Sequence, residues 1–140
     1  MLGGMPSESV SPWPEETVPV LRIADRDVAL AWYERLGFVE EWTHRFTPTS
    51  PAFVSVRRGP DAAGVRLFLS EHTGDASPGG FVYLRVDDVD PLAAEFGVEV
   101  EDAGPRREVR LADPDGNRIL AGAVTDRPGE GGYTFPSDSG

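Results

Sequence analysis

The chain contains no cysteine, which excludes disulfide staples and thiolate chemistry. It has only two histidines, His44 and His72, so imidazole chemistry has two places to occur. No apolar run approaches the roughly 20 residues that a helix needs to span a bilayer. There is no Gly-x-Ser-x-Gly elbow, no phosphate-cradling Walker loop and no dinucleotide fingerprint, so no nucleophile motif and no cofactor motif is present. The opening "MLGGMPSESVSPWPEE" lacks the charged-then-apolar layout of a secretion signal. With the missing cysteine, this leads to the expectation of a cytoplasmic protein. What is abundant is acid: the formal net charge is -11 and the sequence pI is near 4.5. A field of that sign repels nucleic acid and anionic membrane and attracts cations. The 140 residues, 39% of them hydrophobic, suit one domain with a working core.

Residues 1–17 hold prolines, serines and acids without periodicity and are expected to form a mobile tail, as is 125–140. Between them, 18–124 is expected to be a single domain. "VPVLRI" (18–23) alternates as a strand does. "DRDVALAWYERLGF" reads as a helix capped by Asp25 or Asp27, with Val28, Ala31, Trp32 and Leu36 on the buried face and Gly37 ending it. Strands follow at 38–46, 52–58 and 65–72, with "TGDASPGG" as a linker. A strand at 81–86, a short helix in "DDVDPLAAEF" capped by Asp87 or Asp88, and three more strands complete the chain.

The element order is therefore β-α-β-β-β twice over. "LRIAD" (21–25) matches "LRVDD" (84–88) at an offset of 63 residues, and a helix and a glycine follow in both halves. The order and the match point to a duplicated module, about 18–72 and 80–122.

Two segments then carry a family resemblance: "VPVLRIADRDVALAWYERLGF", with its Trp32-Tyr33 pair and Leu-Gly-Phe ending, and the closing "LADPDGNRI". In this order and at this separation they resemble the vicinal-oxygen-chelate superfamily, which includes glyoxalases, extradiol dioxygenases and bleomycin-resistance proteins. The resemblance implies an α+β fold in which two βαβββ modules form a cup-shaped mixed sheet. It also implies four metal-ligand positions on the cup floor. Carried over residue by residue, these are Val18, Phe68, Phe81 and Leu120. Metal ions need imidazole, carboxylate or carbonyl donors, and these four side chains offer hydrocarbon. A shift of one residue does not repair the set. The expectation is a protein with no metal, no cofactor and no catalytic residues. It resembles most the bleomycin-resistance branch, whose members are acidic homodimers that sequester a cationic glycopeptide antibiotic. A homodimer binding a cationic or aromatic small molecule is thus expected, with no nucleic-acid or membrane partner. The alternative is an enzyme of the same fold that uses His44 or His72 as a base, helped by Arg22. A third reading is a partner-regulating module with a filled cup.

Strand alternation selects the residues that would line the cup. Trp42, His44 and Phe46 share one face of the second strand, as an aromatic wall for a planar ligand or as a core face packed on a helix. Phe53 and Ser55 alternate likewise. Phe68 occupies a floor position, Ser70 shares its face, and Phe81, Tyr83 and Leu120 follow the same argument in the second module. Arg22, with repeat mate Arg85, reaches the cup by parity and suits either a cross-sheet carboxylate or a ligand anion. Arg107 stands beside Glu108 where antibiotic-binding relatives carry an Arg-Glu pair preceded by Pro-Trp-Gly. Here Gly104, Pro105 and Arg106 stand in those places and the stacking tryptophan is missing. Pro19 opens the first strand, where dimeric relatives cross to a partner. "DPDGN" (113–117) has too few calcium-loop features and reads as a tight turn that delivers the last strand.

Overall fold

The computed structural model describes residues 11–60 and 64–124; the outer part of the expected N-terminal tail, 1–10, and the whole of the expected C-terminal tail, 125–140, lie outside the described residues. The first module comprises β1 (Val20–Arg22), α1 (Arg26–Arg35), β2 (Val39–His44), β3 (Phe53–Arg58) and β4 (Val65–Ser70). The second comprises β5 (Phe81–Arg85), α2 (Asp90–Phe96), β6 (Glu101–Ala103), β7 (Arg106–Ala112) and β8 (Arg118–Val124). Each folds into its own four-stranded sheet. Sheet A has the order β1-β4-β3-β2 and sheet B the order β5-β8-β7-β6. In each, the first and last strands of the module run parallel and the remaining pairs antiparallel. The expected α+β architecture of two βαβββ modules is the observed one.

The repeat is legible in single hydrogen bonds. The Ile23 amide donates to the Ser70 carbonyl at the end of β4, and its equivalent 63 residues on, Val86, donates to Gly122 of β8. The Pro19 carbonyl accepts from Phe68 of the same chain, so β1 closes its own module.

Asp25 caps α1 by accepting the Val28 amide at 3.0 Å, as its side-chain type favours. The helix ends at Leu36, and Gly37 takes the positive φ of 97° that turns the chain into β2. Helix α2 is capped differently from the expectation. Its N-cap is Val89, without a side-chain bond, while Asp88 takes the Asp90 amide.

One face of each sheet packs on the helices around a shared core that includes Leu21, Ile23, Val54, Leu69, Val109 and Ile119. The buried face of α1 differs from the expected one: Ala29, Tyr33 and Leu36 are buried, whereas Val28 and Ala31 are exposed. Tyr33 explains the rotation. Its ring is fully buried, and its hydroxyl donates to the Asp113 carboxylate of the other module at 2.7 Å. Burial, and then the neighbouring Asp113 charge, push this phenol far above its ordinary range, so it remains a donor.

The "DPDGN" turn thus does more than deliver β8. Gly116 adopts φ 82° and reverses the chain. Asp113 accepts the Asp115 and Asn117 amides at 2.8 and 2.9 Å. The fully buried Asn117 donates from Nδ2 to the Arg22 carbonyl of β1 and accepts the Gly80 amide, both at 2.8 Å. Asp115 accepts the Ala24 amide at 2.9 Å. Trp32 packs on Phe96 with ring centroids 5.2 Å apart, so the two helices also meet.

Removing one partner from a buried hydrogen bond costs about 1–3 kcal/mol. Tyr33→Phe is expected to lower stability within that range in urea unfolding, and Asn117→Ala to lower it more, because it strips bonds from both modules. The double substitution is expected to cost less than the sum, because both residues bond Asp113.

Candidate functional site

The faces away from the helices are concave candidates, and strand register lays out their contents. Across sheet A, Arg22 stands opposite Ser70, Ser70 opposite Phe53, and Phe53 opposite His44. The adjacent row is Val20, Phe68, Ser55 and Trp42. The third row pairs Arg66 with Arg57. A bulge in β2 between Glu40 and Trp42 adds one residue and breaks the alternation. Glu41 and Trp42 therefore both reach this face, and nothing in the strand's apolar pattern announces it.

The aromatic side chains meet. Trp42 stacks on Phe53 at 6.1 Å with 15° between the planes, Trp42 lies 5.6 Å from Phe68, and Phe53 lies 5.2 Å from Phe68. All three remain partly accessible. His44 and Phe46 extend the cluster differently from the expectation. Phe46 lies beyond the end of β2, is 78% exposed, and touches His44 and His72 edge-on. Ser55 and Ser70 are buried and already bonded: Ser55 donates to Glu41 at 2.7 Å, and Ser70 donates to Asp75 at 2.6 Å while accepting the His72 amide. They brace the wall and offer a ligand little.

Residues that the pattern reading passed over complete the site. Glu41, with 4% of its side chain exposed, accepts from Ser55, from Arg66 Nε at 3.0 Å and from Arg57 at 3.2 Å. Arg66 is equally buried, reaches Glu16 at 3.2 Å, and lies beneath the Trp13 ring at 5.2 Å. Residues 11–17 fall in the stretch expected to be a tail, yet Trp13 and Glu16 contact sheet A. A cavity of about 200 Å³ lies between Trp13 and Pro14 on one side and Trp42, Ser55, Phe68 and Arg66 on the other. A wider opening of about 650 Å³ continues from it past Pro12 and Glu40.

Sheet B presents Phe81, Tyr83 and Leu120 on its own concave face, with Phe81 55% and Tyr83 42% exposed. Arg107 is not there. It alternates with Glu108 and points to the helix side, where it pairs with Asp90 at 3.0 Å and Asp102 at 3.4 Å. The arginine that pairs with Glu108 on its own face is Arg106, at 3.6 Å. Tyr83 lies across Gly122 and donates to Glu108 at 3.1 Å. A β-carbon at Gly122 would collide with the Tyr83 hydroxyl and stand 2.8 Å from the ring, so glycine here is what lets the tyrosine lie down.

Val18, Phe68, Phe81 and Leu120, the positions that the resemblance implied for metal ligands, have no donor atoms in their side chains. Among the described residues no three His, Asp or Glu side chains stand together as a metal-holding group. These residues do not fit a metal.

Two expectations follow. Burial pushes the Glu41 carboxyl up, but the hydrogen bonds from Ser55, Arg66 and Arg57 outweigh it and hold the group below its ordinary 4.5. A carboxylate lowered in the folded state stabilises the fold above its unfolded pKa and loses that contribution as pH falls through the folded value. Glu41→Gln should therefore flatten the loss of stability below pH 4.5 in acid titrations followed by circular dichroism. In the second module, burial and then the Glu108 bond raise the Tyr83 phenol above 10.0. Gly122→Ala should displace the ring and return its titration, read by tyrosinate absorbance, towards 10.0.

With this geometry, the chain matches the family model described as glyoxalase superfamily protein over residues 13–123. No curated protein matches it in sequence. Among solved structures it is similar to TnmS3, an antibiotic-binding protein from a Streptomyces species, at 25% identity and a TM-score of 0.60, covering 79% of this chain and 97% of that one. It is similar in fold to a bleomycin-binding protein complexed with bleomycin, at 22% identity and a TM-score of 0.51 over 81% of this chain and 100% of that one. It also shares its fold with the trypanothione-dependent glyoxalase I of Leishmania major, at 23% identity and a TM-score of 0.51 over 73% and 81% of the two chains. Two βαβββ modules, closed by the Asp113–Asn117 turn and matched over nearly the whole described chain, belong to the glyoxalase superfamily.

Proposed function

We propose that the protein is a non-catalytic binding protein that captures a planar aromatic natural product of the antibiotic type. The observation that carries this reading is the trio Trp42, Phe53 and Phe68, of which Trp42 and Phe68 line a cavity roofed by Trp13. Aromatic faces with a gap beside them recognise flat molecules by stacking and by area removed from water. The hydrocarbon at positions 18, 68, 81 and 120 favours a metal-free role. The similar proteins described as antibiotic-binding and bleomycin-binding support the ligand type.

The working unit in this reading is a homodimer. The cavity on sheet A is lined by sheet A and residues 13–18 alone. Sheet B leaves Phe81 and Tyr83 bare, and a second copy would cover them with its sheet A. The missing cysteine suits a cytoplasmic setting.

The test is calorimetric titration with bleomycin and with a planar polycyclic quinone, alongside sedimentation analysis. Saturable binding without product is expected, and the chain should sediment as a dimer. An aromatic pair is worth about 0.5–1.5 kcal/mol, so Trp42→Ala should weaken binding by up to about tenfold. Phe81→Glu should yield monomers. Turnover of the ligand, or full-strength binding in Trp42→Ala, would refute the reading.

A further inference from the structure

The formal charge of -11 is unevenly distributed, and strand parity sorts it. On sheet A, Leu21 and Ile23 enter the core, so Arg22 between them faces the concave side; Arg57 and Arg66 do the same beside Val56 and Leu67. The carboxylates on that side are Glu41 of β2, Glu16 from the N-terminal segment and Asp75, which accepts the Ser70 hydroxyl. On sheet B, Arg85, Arg106, Arg110 and Arg118 alternate with buried Leu84, Val109, Leu111 and Ile119. They face two glutamates, Glu101 and Glu108. The acids collect on the other side: Asp25 and Asp27 at α1, Asp88, Asp90 and Glu95 at α2. On sheet B four arginines therefore face two glutamates, while on sheet A three arginines face three carboxylates, and what sets sheet A apart is how those arginines are paired.

Arg22 is the most telling of these residues. Its Nε is buried with no hydrogen-bond partner among the described residues, and it makes no ion pair among them. Asp115 lines a small cavity with it and lies close enough for the two charges to interact, but its Oδ1 accepts the Ala24 amide and no hydrogen bond joins it to Arg22. Arg106 in sheet B likewise has a buried Nε without a hydrogen-bond partner, but its Nη1 pairs with Glu108 at 3.6 Å. Buried guanidinium donors left unbonded are costly, and an oxygen anion satisfies them well. Arg22 shares its face with the aromatic trio: Val20 is opposite Phe68, and Arg22, two residues on, is one strand from Phe53's partner Ser70.

We infer that the ligand of this site is an anion: a planar aromatic ring bearing a carboxylate, sulfonate or phosphate-type group, the ring on Trp42, Phe53 and Phe68 and the charge towards Arg22. This rests on the reading that the concave faces bind a ligand, and it reverses the sign that the whole-chain charge suggests. The net field of the molecule favours cations, so a preference for anions can come only from the local face.

One ring system in three charge states tests it: naphthalenesulfonate, naphthylmethylammonium and naphthalenemethanol, titrated calorimetrically into the full chain. The sulfonate is expected to bind about tenfold more tightly than the ammonium and to weaken as salt rises. Arg22→Gln should remove that preference and leave the neutral alcohol unchanged, while Trp42→Ala weakens all three. The wild-type comparison alone decides the sign, whatever the folding of the variants. Equal or tighter binding of the ammonium, lost in Trp42→Ala, overturns the anion inference and leaves the binding site standing. No binding of any of the three overturns both.

Discussion

Asp113 stands where the two modules meet, and its carboxylate receives the Tyr33 hydroxyl, the Asp115 amide, the Asn117 amide and Asn117 Nδ2. Apolar burial holds the modules together but is indifferent to direction. The hydrogen bonds of this hub are not. Asn117 ties β1 to the start of β5 through Arg22 and Gly80, so the first strand of each sheet is fixed to the same side chain. Because Arg22 is itself one of these anchor points, the residue that presents a cation to the concave face has its backbone locked by the hub. A satisfied polar network of this kind specifies one geometry where a greasy interface would tolerate several.

The duplicated topology carries two unlike faces. Sheet A holds stacked rings over a buried carboxylate–guanidinium floor, and sheet B holds exposed aromatics with a tyrosine pinned over a glycine. The chain has no lysine, so all 13 of its basic side chains are arginines. The planar fork of arginine suits buried pairing such as Arg66 with Glu41, stacking such as Arg66 under Trp13, and two-point capture of an oxyanion.

Most of the fold was legible because it depends on period and punctuation. Alternation in "AFVSVRR" and "VRLFLSEH", Gly37 after the helix and the repeat at offset 63 all report local or symmetric causes, and the observed strands follow them. What was not legible depends on partners distant in sequence. The rotation of α1 follows from a bond between Tyr33 and Asp113, 80 residues apart. Arg107 was placed by the resemblance to an Arg-Glu pair, whereas alternation with buried Val109 and Leu111 turns it to the helix side and leaves Arg106 on the face of Glu108. Ser55 and Ser70 were placed on the right face, but their hydroxyls were already bonded to acids that no spacing rule links to them. The whole-chain charge says nothing of how acids and arginines divide between the faces, since a sum has no sides.

The bulge at Glu41 has a consequence for how much a sheet can display. A regular strand shows one side chain to a given face about every 7 Å, so neighbouring functions on that face must come from neighbouring strands. By adding a single residue, β2 places an acid and an indole consecutively on one surface. The floor and the wall of the cup are thereby written on one strand. A deletion of that residue would leave every strand in place and still turn the preceding half of β2 inside out.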